Sequence, residues 1–542
     1  MLDGGVRFQL ADSAISPDRY RSASAMAELF APLDRLLGAG GDPRLAINPV
    51  SGFNEYGCRP NPCPETLSFS SSTATSISQR GYDRAHAARE ALMRSAIAVG
   101  IEAAFDDRNE AMRDELRGYL GLSPTSADVV FSPSGTDAQL QALFVARALL
   151  GAALTTVVVG ADQTGSGTVN TARGCHFSAA TANGSSVRKG EPIAGLAHSV
   201  ESVGLRLFDD VGEARSHIVS DGLVLAAIEN AVAGGRKVLL QAMDSSKFGW
   251  RAPSDRCLDE IARRFGEQVQ IVIDACQMRL GRSRLRNYLD RGYMVIVTGS
   301  KFFTGPPFSG ALLVPSALAG HLDAADAIPP GLLEYSNRSD WPRNWPNLRS
   351  RFPVRSNFGQ WLRWEAALEE IGAYYRLPSE FRQRALKTFG TEVERIIAAT
   401  PSLVLLPQQP RPDEVGSDDE ELSQRTIFPF MVRCGGRILS LHDCRALYRA
   451  LGRDAASDDP ASSEKSCLIG QPVALGHGEK SQAAALRISA SARLVSDAFS
   501  LDEDVAGINL RRAANDVATV VTRLERLLAD HRPEIAGVSH GR

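Results

Sequence analysis

Apolar and polar positions along the chain change rhythm near residue 128. Before that point, residues 17–37 carry apolar side chains at helical spacing behind a Ser16-Pro17 start signal. Residues 48–64 are rich in Pro, Gly and Asn and predict irregular chain, and helices are expected over 83–104 and 109–120. From 128 onward short β-rich runs at 129–131, 155–159, 223–228, 238–241, 271–273 and 294–297 alternate with helical stretches such as 138–150 and 254–265. Alternation of this kind predicts an α/β fold, a mainly parallel sheet with helices on both faces. Beyond residue 360 the order helix, strand, helix predicts a smaller α+β unit ending in a long helix over 505–528. Residues 410–423, with the acidic run at 418–421, and residues 453–482 are expected to be surface loops.

Composition narrows the classes. A chain of 542 residues predicts two or more packed units. Lys plus Arg (60) nearly balance Asp plus Glu (63), which argues against a nucleic-acid partner. The longest apolar runs are far too short to span a bilayer, and no basic-then-apolar leader opens the sequence. The eight cysteines are scattered without a paired CxxC spacing. Cys58 and Cys63 lie close together, but nothing supplies a second half of a metal site, so no metal is expected. Reduced thiols in a cytoplasmic protein are the expectation.

Three short stretches bear chemistry. Phe131-Ser132-Pro133-Ser134-Gly135-Thr136 follows a predicted strand and opens a predicted helix. Small residues there let a phosphate reach the backbone N–H groups, and the Ser134 and Thr136 hydroxyls add donors; a helix cap with no ligand has the same signature. Asp274 closes the β-branched run 271–273, which suits a carboxylate meeting a cation at the sheet edge. Thr298-Gly299-Ser300-Lys301 follows the last run. A lysine there is costly unless covalently modified or lowered in pKa.

With these stretches the chain resembles the fold-type I enzymes dependent on pyridoxal 5′-phosphate, in their class V aminotransferase and cysteine desulfurase branch. The resemblance is carried by Ser134-Gly135-Thr136, by Asp274 with Gln277, and by Thr298 with Lys301. It implies a large domain over 85–375 with a mainly parallel seven-stranded sheet, a small α+β domain over 376–542, and an N-terminal segment over 1–84 that adds to the small domain and the pocket. It further implies that Lys301 carries the cofactor as a Schiff base, Asp274 faces the pyridine nitrogen, Gln277 faces the 3-hydroxyl, and Thr298 joins the phosphate turn. The branch's ring-stacking histidine has no direct match; His176 and Thr164 are the candidates, and Ser246 stands in for an asparagine near the 3-hydroxyl. A desulfurase needs a nucleophilic cysteine after the lysine, and none occurs between Lys301 and Cys434.

On the substrate side, the resemblance assigns Arg487 to the α-carboxylate, with Arg493 as rival. The hydroxyl-rich stretch 69–75 is a candidate cover for the pocket. Residues 331–364 hold Trp341, Trp345, Trp361, Trp364 and six arginines. They read either as a grip on a bulky or anionic substrate, such as one with a nucleoside or phosphate, or as a dimer interface. The expected partners are an amino-acid substrate and a second copy of the chain, with neither nucleic acid nor membrane. Transamination leads, followed by elimination or replacement at Cβ or Cγ, then decarboxylation; a scaffold that has lost catalysis is the non-enzymatic alternative.

Overall fold

The computed structural model describes residues 24–324, 328–409, 420–452, 465–476 and 483–530. Fully buried strands set its architecture. β1 (Leu67–Phe69) comes from the N-terminal segment. The next seven strands are β2 (Ala127–Ser132), β3 (Leu154–Val159), β4 (Val200–Leu205), β5 (Lys237–Met243), β6 (Val269–Asp274), β7 (Met294–Thr298) and β8 (Gly310–Pro315). They form one sheet in the order β2-β8-β7-β6-β5-β3-β4. β8 pairs antiparallel with both β2 and β7, and the pairs from β7 through β4 are parallel. This is the mainly parallel seven-stranded sheet that the resemblance implies. β2, β3, β7 and β8 bury every residue, as strands covered on both faces do.

Eight helices matter for the site and its frame: α1 (Gln79–Val99), α2 (Ile101–Tyr119), α3 (Gly135–Leu150), α4 (His217–Ala233), α5 (Asp255–Phe265), α6 (Phe358–Tyr375), α7 (Ser379–Ala398) and α8 (Glu503–Asp530). The sequence predicts one helix over 83–104, but Gly100 at φ +85° ends α1 and α2 starts anew. The run 223–228, read as β-rich, lies inside α4. Its buried residues Val224, Ile228 and Ala231 recur at helical spacing, and the Ser216 hydroxyl caps the Val219 N–H. The expected helix over 17–37 lies partly outside the described residues; within them Pro32 divides it, and a short helix occupies Leu33–Leu37.

A second, six-stranded sheet adds β9 (Leu403–Leu405), β10 (Ile427–Cys434), β11 (Arg437–Ile438), β12 (Cys467–Ala474) and β13 (Ala484–Ser489) to β1. β12 falls within 453–482, where a loop is expected. Its apolar stretch pairs with β1 on one side and β13 on the other, which a solvated loop does not do. The parallel β1–β12 pairing ties the N-terminal segment to the C-terminal sheet and brings residues 72–74 beside β13. Residues 410–419 of the expected acidic loop lie outside the described residues, and Glu420–Ser423 is a short helix. No helix among the described residues is long and apolar enough to cross a membrane.

Candidate active site

Ligands of parallel sheets sit beyond the C-terminal ends of the strands. There the loops after β2, β3, β5, β6 and β7, together with β13 and the N-terminal segment, enclose a cavity of about 230 Å³. Each wall has a local cause. After β2, the Ser134 hydroxyl accepts the Thr136 and Asp137 N–H groups at 3.2 Å each and donates to Asp137 Oδ2 at 2.5 Å, which fixes the start of α3. A Cβ on Gly135 would lie 2.6 Å from Cys276 Sγ, so only glycine fits the turn against the next loop. Burial and the nearby Asp42 push the Asp137 carboxyl up to about 7.

Asp274 ends β6 with both oxygens held. Oδ1 accepts the Cys276 N–H at 3.1 Å, and Oδ2 accepts the Thr164 hydroxyl at 3.1 Å. Gln277 donates to the Ser72 carbonyl at 3.0 Å, while its buried Oε1 has no protein partner. Thr298, the last residue of β7, donates to the Cys276 carbonyl at 2.7 Å. Lys301 follows on a tight loop, in which Thr304 N–H donates to the Lys301 carbonyl at 2.9 Å and Gly305 N–H to the Gly299 carbonyl at 2.8 Å. Burial lowers the pKa of Lys301; Cys276 and Asp274 oppose this, and Arg487 and Arg279 add to it. Met278, Thr304 and Phe308 have positive φ (52°, 59° and 71°) and all lie in loops that build this cavity. Side chains in that region cost about 1–2 kcal/mol each, so the surrounding packing holds these loops in place.

Arg487 enters from β13. Its Nε donates to Ser72 Oγ at 3.1 Å and its Nη2 to Thr73 Oγ1 at 2.9 Å, and Nη1 is buried without a partner. Gly470, opposite on β12, makes the room: a Cβ there would lie 2.8 Å from Arg487 Nε and from its Cβ. Burial lowers the guanidinium to about 10. Arg493 instead donates to the Ser76 and Thr304 carbonyls and does not line the cavity.

The cavity thus brings together Ser134, Gly135, Thr136, Thr164, Asp274, Gln277, Thr298, Lys301 and Arg487. It does not include His176 or Ser246. The His176 ring stacks on Tyr335, with Nδ1 2.6 Å from the Tyr335 hydroxyl, so its partner is protein. Ser246 accepts the Phe248 and Trp250 N–H groups at 3.1 Å each and shapes a turn whose neighbours, Ser245 and Lys247, line the cavity in its place. Thr164 lines the cavity and orients Asp274 through its hydroxyl.

The segment 331–364 also departs from a substrate-gripping role, because none of its residues lines the cavity. All four tryptophans are at most 1 % exposed, packed into the two hydrophobic cores. Three of its six arginines are spent on the protein: Arg349 and Arg343 on Asp106, and Arg363 on backbone carbonyls. Sequence reasoning also passed over Arg44, Tyr56, Gln163, Lys247 and Gly470. Only Lys247 left a signal, an isolated charge just past a buried apolar strand; the others depend on contacts far apart in the chain.

No family model matches the chain, and no curated protein matches it. Solved structures do. The cystine C-S lyase C-DES in complex with cysteine persulfide shares 14% identity at TM-score 0.47, covering 83% of this chain and 97% of that one. The Escherichia coli cysteine desulfurase CsdA shares 13% at TM-score 0.48, covering 85% and 95%. Oryza sativa TDC with PLP and tryptamine shares 14% at TM-score 0.46, covering 83% of each. Matches at these levels leave the assignment to the residues of the site.

Proposed function

We propose that this chain is a pyridoxal 5′-phosphate enzyme that acts on an amino acid in the manner of an aminotransferase. The observation that supports this reading is the convergence on one cavity of Lys301, Asp274 and the Ser134-Gly135-Thr136 turn, each from a different strand end. The cavity suits a polar, planar ligand. Buried atoms of Gln163, Gln277 and Arg487 lack protein partners there, and a ligand with donors and acceptors along its edge supplies them.

In this reading the Ser134-Gly135-Thr136 turn would hold the phosphate at the positive end of α3. Asp274 would hold the protonated ring nitrogen, Gln277 the 3-hydroxyl and Lys301 the aldehyde. When bound, the cofactor supplies an electron sink for negative charge at the substrate Cα. Thr164 and the Cys276 N–H keep the Asp274 carboxylate turned toward the cavity. Arg487 binds the α-carboxylate through its planar fork, using the Nη1 that no protein atom engages. Lys301, with its pKa lowered by burial, has a larger neutral fraction than an ordinary lysine and can take a proton from Cα. Cys276 is the one cysteine of the cavity lining among the described residues. Burial and Asp274 push its thiol well above the usual value, which opposes a thiolate nucleophile and so a persulfide route.

The test is incubation with pyridoxal 5′-phosphate and a panel of amino acids, with and without a 2-oxo acid acceptor. A visible absorption band on cofactor addition, and oxo-acid product in catalytic amounts only with acceptor, are the expected results. Ammonia or a released side-chain fragment without acceptor would replace transamination by elimination, and carbon dioxide would replace it by decarboxylation. A colourless, inactive protein would leave a binding scaffold. The reading takes the protein as a cytoplasmic homodimer, for which light scattering should give twice the chain mass of 58.3 kDa.

A further inference from the structure

The cavity carries more positive charge than the cofactor and one α-carboxylate use. Arg44, Lys247, Lys301 and Arg487 line it, against Asp274 as the single acid of the lining among the described residues. Arg44 is spent on Asp42, with Nε 2.9 Å and Nη2 2.5 Å from its two oxygens. Lys301 and Arg487 have roles above. Lys247 has none.

Its setting is nevertheless built. Met243 and Ala252 exchange backbone hydrogen bonds at 2.8 and 3.0 Å, closing the chain around residues 244–251. Within that loop the Ser246 N–H donates to the Trp250 carbonyl at 2.8 Å, and the Ser246 hydroxyl accepts two N–H groups in return. Phe248 and Trp250 are buried against Phe208 and anchor the far side of the turn. Lys247 therefore sits on a fixed turn in the cavity wall, unlike a lysine on a free loop.

The acids near it are already engaged. Asp162 accepts the Leu207 and Phe208 N–H groups at 3.0 and 3.1 Å, and Asp274 is held by Thr164 and Cys276. Burial, then the charges of Arg487 and Lys301, bring Lys247 down to about 7, with Asp162 and Asp274 pulling weakly the other way. A half-buried amine in the cavity wall, under the charge of Arg487 and Lys301, lacks only an anion from outside the chain.

We propose that Lys247 and Arg487 form a two-cation site, so that the substrate is an amino acid whose side chain carries a second acidic group. The proposal rests on the assignment of Arg487 to the α-carboxylate; Lys247 then takes the side-chain anion and sets specificity.

Calorimetric titration of the cofactor-saturated protein with succinate and with butyrate, below neutral pH, tests it. These probes match in chain length and differ by one carboxylate. Wild type is expected to bind succinate about ten-fold or more tighter, the size of one charge-assisted hydrogen bond. K247Q should bring the ratio near one while leaving butyrate affinity unchanged within about two-fold, and K247R should keep part of the preference. A ratio near one in wild type overturns the proposal, and so does a preference that survives in K247Q. So does a K247Q variant that loses turnover equally on every substrate with its preference intact, since that marks a proton-transfer role. If the protein takes no colour with the cofactor, the proposed function fails, yet the same titrations on cofactor-free protein still measure the Lys247-dependent ratio.

Discussion

Two cation-bearing regions of this molecule are wired in opposite ways. In the 331–364 segment Arg343, Arg349 and Arg363 close on the protein itself. Arg363 donates to the carbonyls of Phe308, Leu37, Ala39 and Gly40, and Arg349 and Arg343 both pair with Asp106. In the cavity, Arg487 has hydroxyl partners on two nitrogens and none on the third, and Lys247 lies among other cations. The first pattern holds a core together, because these guanidinium groups meet a carboxylate and backbone carbonyls of the chain itself. The second is expensive without a ligand. Composition alone makes the two regions look alike; partners tell them apart.

The comparison can be broken in several ways. Substituting Lys301 by Ala should cost about 10³-fold or more in turnover and remove the visible band, with circular dichroism unchanged. Arg363→Met should act on the other region: it leaves four carbonyls, two of them buried, without their donor, so urea unfolding should show a loss of about 2 kcal/mol or more. Arg487→Met should do the reverse. It relieves repulsion on Lys247 and Lys301, so stability should fall by no more than about 1 kcal/mol, while KM rises about ten-fold or more. If both arginines behave alike, partner accounting does not separate structure from function here.

A pH titration sharpens the same contrast. Lys247, lowered to about 7, faces Arg487, Lys301, Asp162 and Asp274. Succinate affinity should be full below that value and fall as pH rises through it. The midpoint should move upward in the complex, because the bound carboxylate favours the protonated amine. K247Q should remove this limb. For stability the sign is opposite to that of a salt-bridged lysine. The unfolded chain binds the proton more tightly, so Lys247 alone makes the ligand-free protein gain stability as pH rises from about 7 toward the ordinary lysine value of 10.5. The smallest effect is expected at His176: His176→Ala loses one hydrogen bond to Tyr335, about 1 kcal/mol, and should leave cofactor affinity within about two-fold.

Much of the fold was legible because strands buried on both faces announce themselves as continuous β-branched runs, as β6 and β7 do. The run at 223–228 misled for the same reason, since a short apolar stretch reads alike in strand and helix until the capping Ser216 is weighed. β4 escaped notice because it is an edge strand, largely exposed. Within the site, Lys301, Asp274 and the Ser134-Gly135-Thr136 turn were legible because each sits at a strand end with chemistry out of place in a core. The His176 and Ser246 readings did not find the cavity, because a ring's partner and a turn's direction depend on distant contacts. Lys247 and Gly470 were missed for that reason too.

The central claim is that Lys301 is the amine the cofactor's aldehyde meets. Lys247 lines the same cavity and is also lowered in pKa, which makes the choice between them a sharp one. Borohydride reduction of the protein mixed with pyridoxal 5′-phosphate, followed by peptide mass mapping, decides it. The account predicts a single pyridoxyl adduct on the peptide containing Lys301. An adduct on Lys247 alone, or none after saturation with the cofactor, would contradict it.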